Sequence, residues 1–208
     1  NLMDTYTKNR VNPCNPCQKN KWMRILTHPL FLKGMKMKLI IFDFDGTLAD
    51  TRQLIVETMQ QTIAELRLTP CTDEQCASMI GLPLKQAFTE LIPMSDEMGE
   101  RCVDTYRRIF NVNNAAYVIP TFPNVIETLH QLSTKGYILT IASSRSRKSL
   151  LEFVHTMQLE EIFPYILGAD DVIHAKPHPE PVLRTLEAFG CSPDEALVVG
   201  DMKYDIEM

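Results

Sequence analysis

Lys38 to Phe42 reads as one apolar run that stops at Asp43. An unbroken run of this length suits a strand covered on both faces, as in a parallel sheet. Tyr137–Ala142, Tyr165–Leu167 and Ala196–Val199 have the same character. Helical spacing separates them. Pro123 can open a helix whose Val125, Leu129 and Leu132 share a face, with Gly136 as its stop. Leu150, Leu151, Val154 and Met157 form a second stripe; Val182, Leu183, Leu186 and Phe189 form a third, closed by Gly190. Strands alternating with helices predict an α/β fold with a doubly wound, mostly parallel, Rossmann-like sheet.

Residues 51–118 interrupt the alternation. Ile55, Met59, Ile63 and Leu66 repeat at helical spacing, and Thr72-Asp73-Glu74-Gln75 has the form of a capping box. Gly81 can stop the short helix that follows, Pro83 can open a third, and Ser95 can cap a fourth carrying Met98, Cys102, Tyr106 and Ile109 on one side. The expected division is a core of residues 37–50 and 119–208 with a small α-helical cap, 51–118, inserted between the first two strands. The chain ends at Met208, a few residues into a new helical pattern. A sheet of this kind normally continues, so the C-terminus reads as truncated and the last strand as an open edge.

Charge changes the picture at the N-terminus. Residues 1–38 carry a formal +7 and the remaining 170 residues −12. An acidic body is a poor nucleic-acid surface, since phosphate backbones are held by clustered positive charge. Residues 1–36 read as a disordered basic leader, with Met35 or Met37 a natural start. Its Cys14 and Cys17 have half the spacing of a zinc site, without a second pair to complete it. No apolar run reaches the ~18 residues of a membrane span. The six cysteines are too sparse for a disulfide framework, which points to a reduced, cytoplasmic protein.

The polar residues at the strand ends carry the chemistry, because open α/β sheets bind ligands beyond the carboxyl ends of their strands. Asp43-Phe44-Asp45-Gly46-Thr47 follows the first strand and Ser143-Ser144 the second; Lys176-Pro177 lies in a loop after the third; Gly200-Asp201 and Asp205 follow the fourth. Carboxylates gathered in one place repel one another and raise their own pKa values. A hard divalent cation resolves the conflict, and oxygen ligands fit Mg²⁺ best. Lys176, Ser143 and the N–H groups of the Gly46-Thr47 and Ser144-Arg145 turns could then contact phosphoryl oxygens.

These segments resemble the four ordered motifs of the haloacid dehalogenase-like hydrolases: DFDGTL at 43–48, Ser143, Lys176-Pro177 and GDMKYD at 200–205. The resemblance runs from about residue 38 to the end. It is to the branch with a helical cap after the first motif, which includes phosphoglycolate phosphatases and β-phosphoglucomutases. It implies that Asp43 attacks phosphorus and that Asp45 serves as acid and then base. It also implies that Asp43, Asp201 and the Asp45 carbonyl hold Mg²⁺, with Asp205 as a further metal partner. Gly46, Thr47, Ser143, Ser144 and Lys176 would hold phosphate, and Arg52, Gly81 and Lys85 would read the substrate. Asp45 favours cleavage of a C–O–P ester, because the leaving oxygen needs a proton.

The expected activity is therefore a Mg²⁺-dependent phosphomonoester hydrolase acting on a small phosphorylated metabolite, phosphoglycolate foremost. A phosphomutase of the same fold is the alternative. A non-catalytic protein binding through its basic, Cys-containing arm is a remote one. His174 and His178 read as a polar loop, and Cys71, Cys76, Cys102 and Cys191 as small apolar residues. Arg145, Arg147 and Lys148 are either an attractor for an anionic substrate or a solvated helix end.

Overall fold

The computed structural model describes residues 37–116 and 119–208. The readings of the leader, including Cys14 and Cys17, lie outside the described residues. Four parallel strands, β1 (Leu39–Phe42), β2 (Ile138–Ala142), β3 (Tyr165–Leu167) and β4 (Ala196–Val199), form one sheet in the order β3-β2-β1-β4. Their alternating side chains supply two apolar faces. Ile40, Phe42, Leu139 and Ile141 pack with Leu129 and Leu132 of α5 (Val125–Thr134) and with Leu150, Phe153 and Val154 of α6 (Arg147–Thr156). Leu39, Ile41 and Ala142 pack on the other face with Leu186 of α7 (Glu180–Phe189).

Two stripes differ from the sequence expectation by one residue. Leu151 and Leu183 are exposed, while Phe153 and Thr185 are buried instead. Each exposed residue adjoins a true stripe member, and adjacent helical positions are turned about 100° apart. Helix α5 begins at Val125 rather than Pro123, because Asn124 takes a left-handed conformation (φ 67°) at its N-cap.

The inserted helices are α1 (Arg52–Glu65), α2 (Asp73–Ala77), α3 (Leu84–Leu91) and α4 (Asp96–Ala116). They share a separate apolar cluster of Val56, Met59, Ile63, Cys76, Phe88, Ile92, Cys102 and Tyr106. The capping box forms as predicted: Gln75 N–H donates to Thr72 Oγ1 at 3.2 Å and Thr72 N–H donates to Gln75 Oε1 at 2.8 Å. Ser95 Oγ accepts from Met98 N–H at 3.2 Å at the start of α4. The chain leaves and re-enters the core side by side, with Asp50 N–H donating to the Pro120 carbonyl at 2.9 Å and Ala49 bridged to Thr121. The insert also rests on the core through Leu82, Ala87 and Tyr204, the last in the short α8 (Lys203–Glu207).

Strand order fixes where a ligand can sit. The chain steps from β1 to β2 to β3 on one side, then returns to place β4 against the other flank of β1. The crevice at such a reversal, beyond the carboxyl ends of β1 and β4, is the binding position of open α/β sheets. A satellite ion pair braces the opposite end of the same two strands: Lys38 Nζ lies 2.5 Å from Glu195 Oε1, and Ser192 N–H and Oγ both donate to Glu195 Oε2 at 3.1 Å. The Lys38 hydrogen bond, followed by the Ser192 donors, holds the Glu195 carboxyl down to about 2. A depressed carboxyl stabilises the fold above its unfolded value and loses that contribution as pH falls through the folded one. Glu195→Gln is therefore expected to lower Tm at neutral pH. The gap from the parent should close as pH drops from about 5 toward 2 in thermal melts.

Candidate active site

Asp43 stands one residue beyond β1, and its N–H donates to the Val199 carbonyl at 2.8 Å. That bond carries the sheet register past the strand and seats Asp43 level with the start of the β4 loop. Lys176 reaches in from the loop after β3. Its Nζ donates to Asp43 Oδ1 at 2.7 Å and to Asp205 Oδ1 at 2.6 Å, and all three side chains are buried. Ligand atoms of Asp43, Asp201 and Asp205 lie within 4.8 Å of one another. The structure thus joins four of the sequence-predicted residues from three distant segments.

Backbone without side chains lets the carboxylates come this close. Gly46 has φ +81° and a Cβ there would lie 2.3 Å from Asp201 Oδ2; a Cβ on Gly200 would lie 2.3 Å from the Asp205 carboxylate. Thr47 Oγ1 donates to Asp201 Oδ1 at 3.1 Å, so the hydroxyl secures the Asp201 carboxylate against the β1 loop. Asp205 Oδ2 accepts from Met202 N–H at 3.0 Å, which closes the turn into α8.

Charge at this centre is out of balance. Burial pushes the Asp43 carboxyl well above its ordinary range; Lys176 opposes the shift, and Asp205, Asp201 and Asp45 add to it. Burial, then Asp205, raises Asp201 to about 6. Burial works against the Lys176 ammonium, yet Asp43 and Asp205 keep it above the usual lysine value. One ammonium among three carboxylates leaves excess negative charge in a poorly solvated place. An all-oxygen donor set with this surplus fits a hard divalent cation of the Mg²⁺ type.

Asp45 is built differently. Its side chain is turned from the acidic cluster toward two donors: Thr51 Oγ1 at 2.7 Å from Oδ1, and the Arg145 guanidinium, Nη2 at 2.5 Å from Oδ1 and Nε at 3.2 Å from Oδ2. The side chain of Arg145 is only 7% exposed. Its position excludes the solvated-helix-end reading for this residue. Arg147 donates to the Ile166 carbonyl and pairs with Asp171, and Lys148 is exposed beside Glu152. Thr51 is a functional candidate that the motifs did not single out, and Arg145, read from the sequence as either an anion attractor or a solvated helix end, is placed against Asp45.

The remaining candidates divide between core and insert. Ser143 is buried, and its Oγ accepts from Arg145 N–H at 3.3 Å, which leaves its own proton to donate. Ser144 Oγ donates to the Gly81 carbonyl at 2.6 Å, so these two residues meet each other across the insert–core boundary. Lys85 pairs with Asp96 at 2.6 Å and Glu100 at 2.8 Å within the insert and is not brought to the acidic cluster. Arg52 is exposed at the start of α1. His174, His178 and Glu180 also gather ligand atoms within 4.8 Å, but Glu180 already accepts from Ile173 N–H, His174 N–H and the His174 ring.

Known proteins are similar to this chain in sequence and fold. Residues 40–208 match the sequence profile of the haloacid dehalogenase-like hydrolases. Pyrophosphatase PpaX of Anoxybacillus flavithermus is 33% identical over 172 residues, covering 83% of this chain and 78% of its own length. The PpaX of Bacillus cereus is 31% identical over the same shares. A Bacteroides fragilis crystal structure assigned to the haloacid dehalogenase-like hydrolases superposes with a TM-score of 0.78 at 29% identity, covering 82% of this chain and 81% of that one. A Haemophilus somnus protein predicted to be a phosphoglycolate phosphatase has a TM-score of 0.71 at 23% identity, over 84% and 81% of the two chains, and shares the fold. With its parallel sheet, inserted helices and matching motifs, the chain belongs to the haloacid dehalogenase-like hydrolase family.

Proposed function

We propose that this protein is a Mg²⁺-dependent phosphatase that cleaves a small phosphorylated metabolite through a phospho-aspartate on Asp43. The observation that carries the reading is the Lys176 ammonium fixed between Asp43 and Asp205, with Asp201 completing a compact acidic set. The names of the relatives support phosphoryl chemistry and bring inorganic pyrophosphate in beside phosphoglycolate as a substrate to be tested.

Asp43, Asp201, Asp205 and the Asp45 carbonyl would hold the ion, which supplies charge neutralisation for an incoming phosphoryl group. Lys176 fixes one Asp43 oxygen, and the other attacks phosphorus as the P–O bond to the leaving group breaks. Ser143 and Lys176 donate to the phosphoryl oxygens, whose charge they help to spread. Asp45 gives a proton to the leaving oxygen. It then takes one from the water that splits the phospho-aspartate, and free phosphate departs. Both tasks are needed because phosphate monoesters are among the slowest-hydrolysing metabolite bonds.

Asp43→Asn is expected to cut turnover of p-nitrophenyl phosphate by roughly 10⁴-fold or more. It should not lower Tm, since it removes one of the mutually repelling buried charges. Retained turnover would remove Asp43 as nucleophile.

Metal binding to carboxylates displaces protons, so affinity rises with pH. A carboxyl raised in the fold, like Asp201 at about 6, stabilises the protein while protonated and costs stability as pH climbs through that value. Mg²⁺ reverses that cost, so it is expected to raise Tm more at about pH 8 than at about pH 5. Equal increments in a thermal-shift titration would place the ion elsewhere.

A further inference from the structure

The Arg145–Asp45 pair is not accounted for by the reaction as drawn. A guanidinium is costly to bury unless it is paired and hydrogen-bonded. Here it lies among three aromatic rings, its Cζ 5.6 Å from the centroid of Phe44, 5.0 Å from Phe153 and 5.0 Å from Phe110. Phe110 belongs to α4, so the insert closes over the charge. Tyr106, one turn earlier on α4, is buried in the same neighbourhood. Asp45 is the carboxylate with which the guanidinium pairs among the described residues.

Under the proposed function, three points put this cation beside the leaving group. First, under the proposed function Asp45 must face the leaving oxygen, and Arg145 grips Asp45 directly. Second, both Asp45 oxygens accept hydrogen bonds from Thr51 and Arg145, so that carboxylate is committed to other partners than a substrate oxygen. Third, a guanidinium has five N–H donors in a rigid fork. Three bonds are made here, two to Asp45 and one from Nη1 to Ser149 Oγ at 3.1 Å. The fork is suited to a planar or tetrahedral oxyanion, which it can hold in two-pronged fashion.

We propose that Arg145 is a specificity residue for substrates whose leaving group carries its own anion close to the scissile oxygen, a second phosphoryl group or a carboxylate. That anion replaces Asp45 as the partner of the guanidinium, and Asp45 is thereby released to the leaving oxygen. The selected class includes pyrophosphate and phosphoglycolate, and esters whose leaving group lacks a second anion, p-nitrophenyl phosphate among them, are turned over less efficiently. The inference rests on the phosphatase reading and assigns its substrate class.

The test compares the parent with Arg145→Met and Arg145→Lys on pyrophosphate, phosphoglycolate and p-nitrophenyl phosphate, all with Mg²⁺. Met keeps apolar volume among the three rings, and thermal melts establish that each variant is folded. In Arg145→Met, kcat/KM for the two substrates whose leaving group carries its own anion should fall at least about 30-fold further than for p-nitrophenyl phosphate, the scale of losing one partner of a buried charge pair. Arg145→Lys should recover part of that ratio, because it restores the charge without the fork. Binding of methylenediphosphonate, followed by calorimetry with Mg²⁺, should weaken in parallel. Equal losses on all three substrates would reduce Arg145 to a structural brace for Asp45 and overturn the proposal. A parent enzyme that hydrolyses p-nitrophenyl phosphate but prefers neutral-alcohol esters would also overturn it, while leaving the phosphatase reading intact. A parent that hydrolyses no phosphate ester or anhydride would end both.

Discussion

One buried ammonium holds the centre of this molecule together. Lys176 comes from a loop more than a hundred residues beyond Asp43 in the chain, and its two short hydrogen bonds tie the β1 end to the β4 end. Without a positive charge there, the carboxylates of both ends would repel across the crevice that the strand order creates. With only one, the cluster stays under-neutralised, and its oxygen donors fit a hard divalent cation. Structural cohesion and chemical readiness arise from the same imbalance.

The inserted helices are coupled to that centre by polar contacts as well as by apolar packing. Ser144 meets Gly81, Thr51 meets Asp45, and Phe110 covers Arg145. Each contact joins a residue adjoining the chemistry to one in, or leading into, the helical insert. The apolar contact through Leu82, Ala87 and Tyr204 is small beside the two main cores. An interface of this make-up is one in which relative motion of the parts is the ordinary expectation.

Much of the fold could be read before any coordinates, because its strands are apolar runs ending in chemistry-bearing residues and period 3.6 is strong in its helices. Misassigned positions were neighbours of true ones: Leu151 and Leu183 are as apolar as Leu150 and Leu186, and only three-dimensional packing says which side of the turn faces the sheet. That Asp43, Lys176, Asp201 and Asp205 would meet was legible because residue type and order constrain them. Thr51 was not, and Arg145 was legible only as an anion attractor or a solvated helix end, since an arginine at a helix start and a threonine before a helix are ordinary sequence features. Their meaning lies in what they touch across gaps of 100 and 6 residues. Lys85, which the resemblance offered as a substrate reader, is paired in this structure with Asp96 and Glu100, partners that residue type alone does not announce.

The two glycines that abut the acidic residues bear on how such a protein can diversify. Gly46 and Gly200 leave no volume for even a methyl group beside Asp201 and Asp205. The floor of the crevice is thus closed to gradual remodelling, since the smallest drift there would push a carboxylate of the acidic cluster out of place. Latitude is left to those parts of the helical roof that do not touch Asp45, Ser144 or Arg145, where side chains can vary while the acidic floor stays fixed.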